Sequence, residues 1–226
     1  MDALDSRSLR YVDCFGKKFS ASGQVRYRIT TAAGAWLPVG KVGEEEVFTI
    51  DVKERKEARK EGRQYDVTVL REGRRLVADP PHLEIEAGSI VIWHTPDSAI
   101  TGFTVRGEGA GGAFDSSALT SEAVYTHAFG TPGDYQWVDE NGGPLKGLVQ
   151  VRALEQGKRE EFEKWVQTLN NGTLITINGD KATPDRVQIL VGQTVFWAVE
   201  KAPGISITDA RLGRGARRGG NPSRKP

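Results

Sequence analysis

The chain has a single cysteine, Cys14, in 226 residues. Intrachain disulfides, thiolate zinc sites and Cys-x-x-Cys redox pairs are therefore excluded by counting, and the scarcity of thiols points to a reducing compartment. Long apolar runs are also missing. No stretch approaches the roughly 18 apolar residues of a membrane span, and the start of the sequence, Met1-Asp-Ala-Leu-Asp-Ser-Arg7, has no apolar signal core. The expected location is cytoplasmic, either free or peripheral at the cytoplasmic face of a membrane. Charge of one sign is lacking too: 31 basic residues face 30 acidic ones, a formal net charge of +1. That balance removes the argument for a uniformly basic nucleic-acid binder or an acidic solvating protein and leaves only local asymmetry.

What the sequence does have is alternation. Tyr65 to Leu70, Leu83 to Glu86, Ser89 to Trp93, Gly102 to Val105, Val124 to Phe129, Tyr135 to Val138 and Leu148 to Val151 read as period-two strands separated by turn residues, among 27 glycines and 10 prolines. An all-β antiparallel sandwich class follows, and the length suits two modules. One helix is predicted from Glu155 to Leu169, where Phe162, Trp165, Val166 and Leu169 share a face, with Asn170-Asn-Gly172 as its stop. Lys53 to Arg63 has no apolar face and reads as a solvated loop or short exposed helix.

An internal repeat is visible. Leu83-Glu-Ile-Glu-Ala-Gly-Ser-Ile-Val-Ile-Trp93 aligns without a gap on Val187-Gln-Ile-Leu-Val-Gly-Gln-Thr-Val-Phe-Trp197, 104 residues later. A strand, a Gly turn and a second strand ending in Trp thus occur twice, as in a duplicated module. The second copy looks truncated, because a basic tail follows Gly204-Ile-Ser-Ile-Thr208.

Residues 64–152 resemble a cupredoxin. The likeness rests on Leu83 to Trp93 with Thr95-Pro-Asp97, on Phe114-Asp-Ser-Ser-Ala-Leu119, and on Tyr125-Thr-His-Ala-Phe-Gly-Thr-Pro-Gly-Asp-Tyr-Gln-Trp137 followed by Gly147 to Val151. The resemblance implies a Greek-key sandwich with one copper ion, but the ligands are absent. Thr101-Gly102 stands where the family has its first histidine, Asp139 or a neighbour stands at the cysteine, and Gly142 at the second histidine. A type 1 site needs a thiolate, so no copper, other metal or cofactor is expected. The implied organisation is an N-terminal β segment (1–62), a cupredoxin-like domain (64–152), a linker helix (153–170), a partial repeat (171–209) and a basic tail (210–226). Residues 20–52 are expected to complete the partial repeat by pairing with strands from 174–208.

No catalytic constellation stands out. His82, His94 and His127 have no ligand spacing, and Asp139 and Glu140, as neighbours on a strand, point to opposite faces and read as a polar loop entrance. Gly107-Glu-Gly-Ala-Gly-Gly112 lacks the Lys-Ser/Thr of a phosphate loop and reads as a flexible connection. The expected function is that of a non-enzymatic, copper-free scaffold. It would serve as an accessory subunit binding the other proteins of a larger assembly, with an electron-transfer (respiratory or photosynthetic) membrane complex as the host suggested by analogy. The alternative is a nucleic-acid or anionic-membrane binder acting through Arg211, Arg214, Arg217, Arg218, Arg224 and Lys225, six basic residues with no acid among them. On either reading a partner holds that tail, with nucleic acid the less favoured one.

Overall fold

A computed structural model describes residues 3–32, 46–55, 62–109, 111–154, 159–169 and 171–212. Nineteen strands are described. In the first half they are β1 (Asp13–Phe19), β2 (Gly23–Thr31), β3 (Phe48–Lys53), β4 (Gln64–Glu72), β5 (Arg75–Asp79), β6 (His82–Glu86), β7 (Ser89–His94), β8 (Phe103–Gly109) and β9 (Phe114–Asp115). In the second they are β10 (Leu119–Thr120), β11 (Ala123–Ala128), β12 (Gly133–Asp139), β13 (Lys146–Arg152), β14 (Thr173–Asn178), β15 (Lys181–Thr183), β16 (Arg186–Leu190), β17 (Thr194–Lys201), β18 (Pro203–Ile205) and β19 (Ile207–Asp209). One helix, α1 (Arg159–Thr168), lies between β13 and β14, and a 3-10 turn spans Ala210–Leu212. The all-β class holds.

Strand order reveals a complete duplication. One eight-stranded sheet runs β15-β14-β17-β11-β1-β7-β4-β5, backed by β6-β3-β2-β8-β9 on one side of its midline and β16-β13-β12-β19 on the other. Position by position, β5-β4-β7-β1 matches β15-β14-β17-β11, and β6-β3-β2-β8 matches β16-β13-β12-β19. The corresponding joins have the same sense: β3 with β6 and β13 with β16 are parallel, as are β4 with β7 and β14 with β17.

Two expectations are corrected by these pairings. Residues 20–52 do not pair with 174–208, since β2 pairs with β3 and β8, and β3 with β6. The strands of 64–152 are not one sandwich but are split between the halves: β4 to β8 join the N-terminal strands, and β11 to β13 join β14 to β19. Residues 33–45 of that N-terminal stretch lie outside the described residues, as do 56–61 of the charged run.

The physical reason is the position of the aromatic residues. Phe15, Tyr27 and Trp93 are fully buried and pack together in one half, Phe15 stacked on Trp93 and Tyr27 edge-on to it, with centroids 5.5 and 5.3 Å apart. Tyr125, Trp137 and Trp197 repeat the arrangement in the other, at 5.5 Å for Tyr125–Trp197 and 6.1 Å for Trp137–Trp197. Each triad takes its rings from both layers of its half, and both triads belong to one continuous hydrophobic core between the sheets. Trp93, Phe129, Tyr135 and Trp137 are buried as expected. The glycine turns predicted after Ala87 and Val191 are corners at which the chain leaves one sheet for the other, with φ of +87° at Gly88 and +90° at Gly192. A side chain is strained in that left-handed conformation, which favours glycine there.

The halves meet along β1 and β11. Their antiparallel register runs from Asp13 opposite His127 to Lys17 opposite Ala123, with Phe15 opposite its own counterpart Tyr125. The seam is therefore a pseudo-twofold axis. Leading segments cross it reciprocally. Leu4-Asp-Ser-Arg-Ser-Leu9 and Phe114-Asp-Ser-Ser-Ala-Leu119 are the same motif 110 residues apart. Asp5 bridges to Thr208 of the second half while Leu9 bridges to Phe103 of the first; Asp115 pairs with Arg106 of the first while Leu119 pairs with Ile205 of the second. Buried Ser6 and Ser116 accept equivalent backbone bonds, from Ile207 N and Val105 N, both at 3.0 Å.

Candidate functional site

A fully enclosed polar group lies on the seam. Asp13, the first residue of β1, is buried with His127, its register partner on β11. His127 Nδ1 is 2.6 Å from Asp13 Oδ1, which also accepts the Tyr125 hydroxyl at 2.8 Å, while Asp13 Oδ2 accepts the Arg10 amide at 2.9 Å. Burial, with the Asp13 charge beside it, pushes the Tyr125 phenol well above its ordinary range. An aspartate orienting a histidine is half of a nucleophilic triad, but the His127 ring is fully buried with its edge toward Phe129, centroids 4.6 Å apart. Nothing outside the protein reaches it. Cys14 follows Asp13 but is no activated thiolate, because burial pushes its thiol up. The cluster is a structural tie between the halves.

The positions expected to surround a vacated copper pocket do not converge on one half. Thr101 and Gly102 precede β8 of the first half, whereas Asp139 ends β12 of the second and Gly142 lies in the turn after it. Asp139 does stand at the entrance to the loop, as the last residue of β12. It is buried, and its Oδ1 accepts from the Ser206 and Asn141 amides, each at 3.0 Å. Glu140 faces Arg7, with Oε1 3.7 Å from Nη1. Asp139 ties β12 to Ser206 within the second half, and Glu140 links that half to the N-terminal segment. Gly107 and Gly109 belong to β8 rather than to a flexible loop. A Cβ at Gly107 would meet the Phe114 ring at 2.5 Å and Arg26 O at 2.7 Å, so close packing requires glycine there.

Of the six predicted tail residues, only Arg211 is described. It is folded back on the body: Nε and Nη2 form a fork with Asp209, at 2.9 and 2.5 Å, and the guanidinium lies 5.7 Å from the centre of the Tyr135 ring. The Asp209 hydrogen bond raises the Arg211 pKa. Arg214, Arg217, Arg218, Arg224 and Lys225 lie outside the described residues.

Two surfaces escaped the sequence reading. On the outer face of the first half, Asp51 of β3 lies directly across from Glu84 of β6, and His82 lies two residues back on β6. One ligating atom from each of the three comes within 4.8 Å of the others. On the second half, Phe162 and Val166 of α1 are 55% and 45% exposed, although they define the predicted apolar face. Trp165 is the anchor, with Nε1 donating to Val191 O at 2.7 Å. Leu174 at the start of β14 is also exposed. Among the described residues no helix is long and apolar enough to cross a membrane. Searches against family models, curated proteins and solved structures find no match to this chain.

Proposed function

We propose that the chain is a non-enzymatic, cupredoxin-like double sandwich without the family's copper site, working as an accessory subunit that binds other proteins of a larger assembly. The observation that carries this reading is α1, which docks through Trp165 while presenting Phe162 and Val166 to solvent. Large apolar side chains clustered on an otherwise polar helix favour a protein partner. The enclosed Asp13–His127–Tyr125 group supports it from the other side, as a constellation with a catalytic look that no substrate can enter.

The test compares the wild-type chain with the double variant Phe162→Glu, Val166→Glu as bait in its native cell extract. The reading expects a defined complex at fixed stoichiometry with the wild type, lost in the variant while the thermal midpoint is unchanged. Equal recovery with both baits, or no complex with either, rejects it.

A further inference from the structure

We propose that Asp51, His82 and Glu84 form a binding site for a first-row divalent metal ion, with zinc as the best chemical match. The two strands that carry them are hydrogen-bonded neighbours in parallel register, so the backbone separation between the three side chains is fixed by the sheet. One imidazole nitrogen and two carboxylates within 4.8 Å of one another form a borderline donor set. Such a set suits zinc, whose sites combine His nitrogen with Asp or Glu oxygen. Calcium and magnesium, which prefer all-oxygen shells, are disfavoured by the imidazole.

The surroundings are those of a ligand set held from behind. His82 Nδ1 lies 2.8 Å from Thr49 Oγ1, which directs the opposite nitrogen, Nε2, toward Asp51 Oδ2 at 3.9 Å. Orientation of a ligating imidazole through its second nitrogen is the usual outer support of a metal site. Asp51 Oδ1 accepts from Gln24 Nε2 at 3.3 Å, leaving Oδ2 toward the histidine. Among the described residues the competitor for Glu84 is Lys53, whose Nζ is 3.8 Å away in an exposed pair; such surface pairs contribute little and yield to a metal. Three protein ligands leave a fourth position to water.

The second half supplies an internal control. Its counterparts of Asp51, His82 and Glu84 are Gln150, Arg186 and Gln188, and Leu148 stands where Thr49 does, on the same parallel pair of strands. Two glutamines and an arginine offer neither the imidazole nor the carboxylates, so the donor set belongs to one half and is not a by-product of the shared architecture.

The experiment titrates zinc chloride into the purified full chain after chelator treatment, followed by calorimetry and by the imidazole resonances of the three histidines. One equivalent should bind, moving the His82 resonances and leaving those of buried His127 in place. His82→Ala and Asp51→Asn should each abolish binding, and Thr49→Val, which removes only the support, should weaken it about 10-fold. His94→Ala, which removes a histidine outside the group, should bind as the wild type does. Absence of binding by the wild type overturns the proposal, as does binding that survives His82→Ala or is lost in His94→Ala. Equal affinity of Thr49→Val and wild type would overturn the role given to Thr49.

Discussion

The two halves share an order of strands, a ring triad and a leading motif, yet almost none of their polar chemistry. Where the first half has Asp51, His82 and Glu84 on its outer face, the second has Gln150, Arg186 and Gln188. The seam shows the same divergence at closer range. At one end of the pseudo-twofold, Asp13 and His127 form a buried pair. At the other, Lys17 faces Ala123 and sends its ammonium to Ser121 O at 2.7 Å. Burial of apolar rings is tolerant of sequence so long as volume and pattern survive, which is why the cores still match. Exposed positions carry no such constraint, so the outer faces of the two copies are free to differ.

That comparison is sharpest in the cores. Trp93→Ala and Trp197→Ala should each cost about 4 kcal/mol, the usual loss for a large ring removed from a packed interior. Because the eight-stranded sheet is continuous through β1 and β11, each variant should still unfold in a single urea transition. A biphasic melt in either would show that the halves are separable.

The ends of the seam should respond unequally. Asp13→Ala strips Tyr125 and His127 of their buried acceptor and should cost about 3 kcal/mol, measured in the same denaturation experiment. Lys17→Met should be close to neutral. Burial lowers the Lys17 pKa, so the unfolded chain holds that proton more tightly than the folded one. Stability should therefore rise as pH climbs toward the ordinary lysine value, and Lys17→Met should flatten the rise.

Smaller and more equal effects are expected from the leading segments. Ser6→Ala and Ser116→Ala each leave a buried backbone amide without its acceptor, for about 1–2 kcal/mol apiece. The last effect is a slope confined to alkaline pH. Burial pushes the Tyr27 phenol up to about 12, and its counterpart in the second half is Trp137, which does not titrate. Between the ordinary tyrosine value near 10 and that limit the unfolded chain binds fewer protons, so stability should fall as pH rises. Tyr27→Phe should reduce the fall, and Trp137→Phe should leave it unchanged.

Much of this fold was legible in the sequence, because alternating strands, glycine corners and the Trp93/Trp197 repeat are local signals. The frame of the repeat was not. Val25 to Ile29 resembles Val124 to Phe129 in pattern, but the structural match is Phe15, Phe19, Gly23 and Tyr27 onto Tyr125, Phe129, Gly133 and Trp137. Strands with period two fit each other in several registers, and the cupredoxin resemblance drew the boundary at residue 64, through the middle of one half. The Leu4 to Leu9 motif was the signal that would have set the frame. The Asp51, His82 and Glu84 group was out of reach for another reason: β3 and β6 are parallel neighbours more than 30 residues apart in sequence, and nothing local announces such a pairing.

The reciprocal crossing of the leading segments has a bearing on how a chain like this could arise. A gene encoding one half alone would produce a protein with β1 as a bare edge and its opening Leu-Asp-Ser segment unpaired. A second copy of the same product offers a match for both, since the seam is self-complementary and each opening segment is seated on the opposite partner's sheet. Strand exchange between identical subunits, followed by joining of the two genes end to end, accounts for the layout without a new contact having to be invented. Once the copies were covalently linked, each could accumulate changes that a symmetric dimer would have been forced to make twice.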